Sequence, residues 1–262
     1  MDTLTLDIAD HIATITIDRP DVLNAFNDAF SPEFISTLKE VDRNGDVRVV
    51  VITGAGRAFS SGQDLGDLKE KYVPGHVPSL GDDLKKRYDP WVKRIRTMDK
   101  PVIASVNGVA AGAGCSLALA CDLRIASEHA KFIEVFVNVG LVPDSASTWV
   151  LPRLVGLGRA MELCLTGRPV GAEEALAIGL VNQVVPADEL DAATAKVAAR
   201  LAALPGKALA LTKRLLSQSF EMTLEQQLAA ESFAQETAGL TDDHFEGVTA
   251  FLEKRTPAFK GS

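Results

Sequence analysis

Two strand-like runs, each followed at once by a glycine-rich turn, constrain this chain most. Val47 to Thr53 (VRVVVIT) is a nearly continuous β-branched stretch, and Thr53 to Leu65 (TGAGRAFSSGQDL) follows it. Val102 to Val106 (VIASV) is the second run, and it leads into Asn107 to Ala120 (NGVAAGAGCSLALA). Apolar runs of this kind predict strands covered on both faces. A glycine after such a strand lets backbone N–H groups approach a ligand with no Cβ in the way. Read singly, each turn is ordinary tight-turn chemistry. Read as a pair, they can supply two N–H donors to one oxyanion, the second from the start of the SLALA helix.

Neither turn fits a phosphate or dinucleotide fingerprint. No Gly-Lys-Ser/Thr follows either one, and Gly108, Gly112 and Gly114 lack the full G-x-G-x-x-G spacing and its later acidic residue. This argues against a nucleotide-dependent oxidoreductase.

The rest of the chain alternates similarly. His11 to Asp18 predicts a half-exposed strand, with Arg19-Pro20 ending it. Pro32 to Val41 predicts a helix capped by Ser31. Leu123 to Ala126 and Lys131 to Ile133 predict short strands. Glu70 to Pro90, with three prolines, predicts a surface loop of the kind that covers acyl pockets. From Gly156 onward helical patterns dominate. The expectation is an α/β protein with a core over residues 1–186 and a helical extension over 187–262.

Composition narrows the function. The chain has 262 residues and a net charge of −8, which disfavours sequence-independent nucleic-acid binding. No apolar run is long enough for a membrane span, and the acidic start lacks secretory features. We expect a cytoplasmic protein with no membrane partner. Cys115, Cys121 and Cys164 form no metal or disulfide pattern, so no metal is expected. The segment Gly140 to Thr148 (GLVPDSAST) sets Asp144 among apolar and small residues. It reads either as a helix N-cap or as a chemical carboxylate.

Five segments, in order, resemble the crotonase superfamily, the enoyl-CoA hydratase/isomerase family. They are RPDVLNAF, AFSSGQDL, ASVNGVAAGAGCSLALACDLRIAS, GLVPDSASTWVLPRLVG and EGVTAFLEKRTPAF. The resemblance covers nearly the whole chain. It implies a ββα spiral core with C-terminal trimerising helices, an acyl-CoA thioester substrate, a homotrimer or homohexamer, and no cofactor beyond the substrate's own coenzyme A. It also implies an oxyanion hole made by the backbone N–H groups of Gln63 and Ala113. The coenzyme A contacts it implies are Ser61, Asp64 and Leu65 in the adenine-binding loop, with Phe251 and Lys254 near the end of the chain. Lys254-Arg255 otherwise reads as a charged helix end.

The departures from the family pattern bear on the reaction. Family hydratases carry two glutamates, which fall at Ser116 and Phe136 of this chain. Adding water needs groups to position and deprotonate it, and neither residue can. Glu134 would share a strand face with Phe136. Members that move double bonds in ring-derived acyl-CoAs carry an aspartate at Asp144. FSSGQDL and GLVPDSAST are most similar to the ring-opening isomerase subgroup of phenylacetate breakdown. The resemblance therefore implies an isomerase with Asp144 as acid and base, and an acyl pocket walled by Phe136, Val142 and Ser116. Alternatives are a β-oxidation hydratase, an aspartate-nucleophile dehalogenase or hydrolase, and a non-catalytic coenzyme A-binding scaffold.

Overall fold

The computed structural model describes residues 2–64, 66, 69 and 78–261. Among the described residues ten strands form two sheets. The larger runs β1 (Leu4–Ala9), β2 (Ile12–Ile17), β3 (Val49–Gly54), β5 (Val102–Val106), β7 (Leu123–Ser127), β10 (Gln183–Val185), in that order. The smaller runs β4 (Ala58–Ser60), β6 (Val109–Ala111), β8 (Lys131–Ile133), β9 (Val170–Gly171). From β3 to β8 the chain lays one strand in the large sheet and the next in the small one, all parallel within each sheet. These repeated turns make the spiral.

Burial explains the strands. All of β5 is buried, as its apolar run predicts. β2 alternates, and it pairs with β1 through a turn whose central residues Asp10 and His11 both have positive φ, matching a two-residue hairpin. The two glycine-rich turns are not plain loops. Each contains a three-residue strand, β4 or β6, whose buried residues knit the small sheet against the large one.

Two expectations need correction. Helix α1 spans Phe30–Arg43, so Ser31 lies inside it, buried, and is not its cap; the Asn27 side chain accepts from the Phe30 N–H at 3.0 Å instead. The described part of the Glu70 to Pro90 stretch is helical: α2 (Leu80–Asp83), a π-helical turn (Leu84–Tyr88), and α3 (Asp89–Thr97). Its first part, 70–77, lies outside the described residues. Leu84, Tyr88, Trp91, Val92 and Ile95 form an apolar stripe at helical spacing, and it joins the core. The helix Leu190–Ala202 opens the helical extension. It packs against the large sheet, where Leu190, Ala198 and Ala202 meet Val49, Val51 and Ile103.

An aromatic ladder holds the first spiral turn to the α2–α3 region. Phe26 stacks on Phe30 at 4.1 Å, Phe30 on Phe34 at 5.1 Å, and Phe34 meets Trp91 edge-on at 6.1 Å. Offset and edge contacts at such distances add to the stabilisation from burial alone. Beyond Ala202 the helices Gly206–Gln218, Leu224–Gly239 and Asp242–Glu253 form an arm. Among the described residues no helix is long and apolar enough to cross a membrane.

Candidate active site

The site forms where the ends of β4 and β6 meet. Gln63 pairs with Phe26 in a parallel bridge: the Phe26 N–H donates to Gly62 O at 2.7 Å, and the Asp64 N–H donates to Phe26 O at 3.0 Å. In such a bridge the groups of the central residue face the other way, so the Gln63 N–H points away from Phe26. Beside it, Ala113 opens the helix Ala113–Ala120, which we label α4. N–H groups of a first helical turn have no acceptor within the helix and carry the positive end of its dipole.

Two glycines allow this approach. At Gly62, with φ of +86°, a Cβ would sit 2.6 Å from Ala111 O and 3.1 Å from Ala113 N. At Gly114, a Cβ would sit 2.4 Å from Ser60 O. Any side chain at either position forces the two amide-bearing segments apart.

Asp144 lies between these amides and an apolar wall. It is no helix cap. Ser145 and Ala146 both turn left-handed, with φ of 51° and 67°, and the helix α5 (Ser147–Val155) starts only after them. Such backbone is uncommon away from glycine and is concentrated at functional sites. The Asp144 carbonyl accepts from the Ser147 N–H at 2.9 Å and from the Ser116 hydroxyl at 3.1 Å. One carboxylate oxygen accepts from the Ser145 hydroxyl at 2.9 Å. Burial raises the Asp144 pKa from 3.8 to about 6, against the lowering effect of the Ser145 hydrogen bond.

Gln63, Ala113 and Asp144 line one cavity of about 450 Å³, with Phe136, Val142 and Tyr88. Phe136 sits buried in the 3₁₀ turn Val135–Val139, while Val142 stands at the mouth, 78% exposed. Ser116 departs from expectation. It is fully buried and ties α4 to the Asp144 loop instead of lining the acyl cavity.

Glu134 is also displaced from its expected place. It follows the end of β8 and does not extend a strand toward Phe136. Its carboxyl is buried against Ser147, whose hydroxyl donates to it at 2.7 Å, and it lines a separate small void with Cys115. Burial raises its pKa, and the nearby negative charge of Asp144 adds to that. It is not placed to act as a base in the cavity.

The expected coenzyme A contacts divide. Ser61 lines the cavity. Asp64 is engaged elsewhere, paired with Arg19 at 3.1 Å and accepting from the Gly66 N–H at 3.1 Å. Leu65 lies outside the described residues. Phe251 is 82% exposed, and Lys254 ends the last helix in a left-handed turn. Neither lines the cavity of its own chain. Tyr88 escaped the sequence reading, although the helical stripe that includes it was there to be read.

A spiral α/β fold that brings two glycine-supported amides and the half-buried Asp144 carboxylate to one largely apolar cavity has the parts that enolate chemistry needs. The comparisons supply the family. A family model for enoyl-CoA hydratase/isomerase matches residues 7–262, and the chain belongs to that family, the crotonase family. It is 43% identical over 250 residues to 1,2-epoxyphenylacetyl-CoA isomerase of Escherichia coli (strain K12), covering 95% of each chain. It is 42% identical over 259 residues to a probable enoyl-CoA hydratase of Rhodobacter capsulatus, covering 99% of this chain and 98% of that one. Among solved structures, enoyl-CoA hydratase from Bacillus anthracis superposes with a TM-score of 0.92 at 35% identity, with full coverage of both chains.

Proposed function

We propose that this enzyme isomerises acyl-CoA thioesters, moving a double bond through a thioester enolate, with Asp144 carrying the proton. The observation that supports this best is the Asp144 carboxylate, lining the cavity that Gln63 and Ala113 also line; the other carboxylate on that wall, Asp83, is paired with Arg87 at 3.1 Å. The thioester carbonyl accepts hydrogen bonds from those two N–H groups, which stabilise the charge that develops on its oxygen. Asp144 removes a proton from the α-carbon of a β,γ-enoyl thioester, giving a dienolate. It then returns that proton to the γ-carbon, which leaves the α,β-isomer. No water is consumed, and atoms balance.

Hydration fits the cavity less well. Ser116 is buried out of it, Phe136 presents a ring, and Glu134 faces Ser147. The second carboxylate on the cavity wall, Asp83, is tied up in an ion pair with Arg87. Ring opening of an epoxide-bearing phenylacetyl thioester is the second reaction we assign, supported by the 43% relative named for that substrate. On this reading we propose phenylacetate catabolism as its setting, with fatty acid metabolism for simple enoyl substrates, in the cytoplasm and with no cofactor beyond the substrate's coenzyme A.

We assign the arm to assembly as a homotrimer or homohexamer. Phe233, Leu240, Phe245 and Phe251 are each at least 73% exposed there, and apolar area of that extent marks an interaction surface. In that assembly Phe251 and Lys254 reach a neighbour's coenzyme A.

Mass spectrometry of wild-type products separates the readings. A 3-enoyl-CoA should give a product of unchanged mass with the conjugated thioester chromophore. Conversion of a 2-enoyl-CoA to a hydrated product, with no isomerisation of the 3-enoyl-CoA, would refute the proposal.

A further inference from the structure

The cavity has a polar feature that enolate chemistry does not use. Tyr88 and Gln63 both line it, and the phenol hydroxyl donates to the Gln63 side-chain oxygen Oε1. Tyr88 is 4% exposed. Burial pushes its pKa well above the ordinary phenol value, against the opposing effect of Arg87, and the charge of Asp144 adds to the rise. The phenol is thus a permanent donor within electrostatic reach of the Asp144 carboxylate. Of the two N–H groups on Gln63 Nε2, one reaches the Asp64 carbonyl at the long distance of 3.4 Å. The other N–H is available to donate to a molecule in the cavity.

The pair is held rigidly. Tyr88 closes the π-helical turn Leu84–Tyr88, a conformation that is rare and frequent at functional sites. Its ring packs 6.0 Å from Trp91, at the end of the aromatic ladder that starts with Phe26. Phe26 in turn fixes Gln63 through the parallel bridge. Both members are therefore anchored to one stack, facing a cavity otherwise walled by groups such as Leu84, Val135, Phe136 and Leu141.

We infer that the Gln63 side chain, oriented by the Tyr88 hydroxyl, forms a subsite whose amide N–H donates to an oxygen atom on the acyl part of the substrate, an epoxide or cyclic ether oxygen, and selects such thioesters over hydrocarbon ones. The inference rests on the isomerase reading and specifies its substrate class. A hydrocarbon chain packed here strips water from the pair and returns no hydrogen bond, whereas an ether oxygen accepts one. Sites built to bond a substrate polar group discriminate strongly against analogues that lack it.

The test compares kcat/KM for 1,2-epoxyphenylacetyl-CoA and for 3-hexenoyl-CoA in the wild type, Tyr88→Phe and Gln63→Met. Phenylalanine keeps the ring packing, and methionine keeps the Gln63 backbone N–H. Each variant should lower the epoxide-to-hydrocarbon ratio at least ten-fold. If both substrates lose rate equally, the pair only braces the loop and the subsite is refuted. An unchanged ratio refutes it too. A wild type inactive on both thioesters overturns the isomerase reading itself and the subsite with it.

Discussion

The Ser116 hydroxyl donates to the main-chain carbonyl of Asp144 at 3.1 Å, so the helix that presents the Ala113 amide also holds the carboxylate loop. The Ser147 N–H shares that carbonyl at 2.9 Å, and the Ser147 hydroxyl reaches Glu134. The proposed oxyanion donor and proton carrier are therefore fixed relative to each other by this network, although their residues are far apart in sequence.

Ser116→Ala removes one of the two donors to that carbonyl. We expect a loss of about 1 kcal/mol in stability, the usual worth of such a bond. The kcat for isomerisation should fall several-fold while KM changes little, because the loop moves and the acyl wall does not. Chemical denaturation and steady-state kinetics check both. A variant with wild-type kcat would show that the loop holds its position without Ser116.

The raised pKa of Asp144 sets the pH dependence of the reaction. The base form is required, so kcat/KM should rise with pH through about 6 and level off above it. A midpoint near 4, the value of a solvated aspartate, would mean the carboxylate is not desolvated in the working enzyme.

Stability follows the same group in the opposite sense. Its pKa is higher folded than unfolded, so folding favours the protonated form. The penalty is absent below about 4, grows as pH rises to about 6, and is complete above that. Asp144→Asn should therefore stabilise the protein at pH 7.5 by up to about 3 kcal/mol, the equivalent of a shift of that size. The gain should vanish near pH 4. Melting curves across that range give the answer directly, and since Asp144 caps no helix, no capping loss offsets the gain.

Gly62→Ala tests the spacing of the two amides. The added methyl meets Ala111 O at 2.6 Å in a backbone conformation with φ of +86°. Strain in this region costs of order 1–3 kcal/mol. We expect a Tm several degrees lower and a drop in kcat/KM of more than ten-fold. A fully active variant would argue that the Gln63 and Ala113 amides do not act together.

Much of this was legible in the sequence because burial leaves a plain trace. Val102 to Val106 and Lys131 to Ile133 read as strands, and they are strands with those bounds. β4 and β6 did not read as strands because each is only three residues long and is flanked by glycines, which signal turns. The Asp144 loop leaves two readings open in the sequence. Nothing about serine and alanine announces two consecutive left-handed residues, so a helix cap stayed open as an alternative until the backbone closed it. Tyr88 was hidden by the nearby prolines and charges, which masked a helical stripe from Leu84 to Ile95. Glu134 shows the limit of strand periodicity: β8 ends one residue earlier, and the side chain turns into the core.

The most direct measurement is the rate of conversion of 3-hexenoyl-CoA to its 2-enoyl isomer at pH 7.5 by wild type and by folded Asp144→Asn. Asparagine matches the shape and still accepts from Ser145, but it cannot carry the proton. The account predicts a loss of roughly 10²- to 10⁴-fold, the range supplied by a positioned acid–base group. A folded variant that keeps wild-type kcat would contradict it and leave the chemistry to another residue.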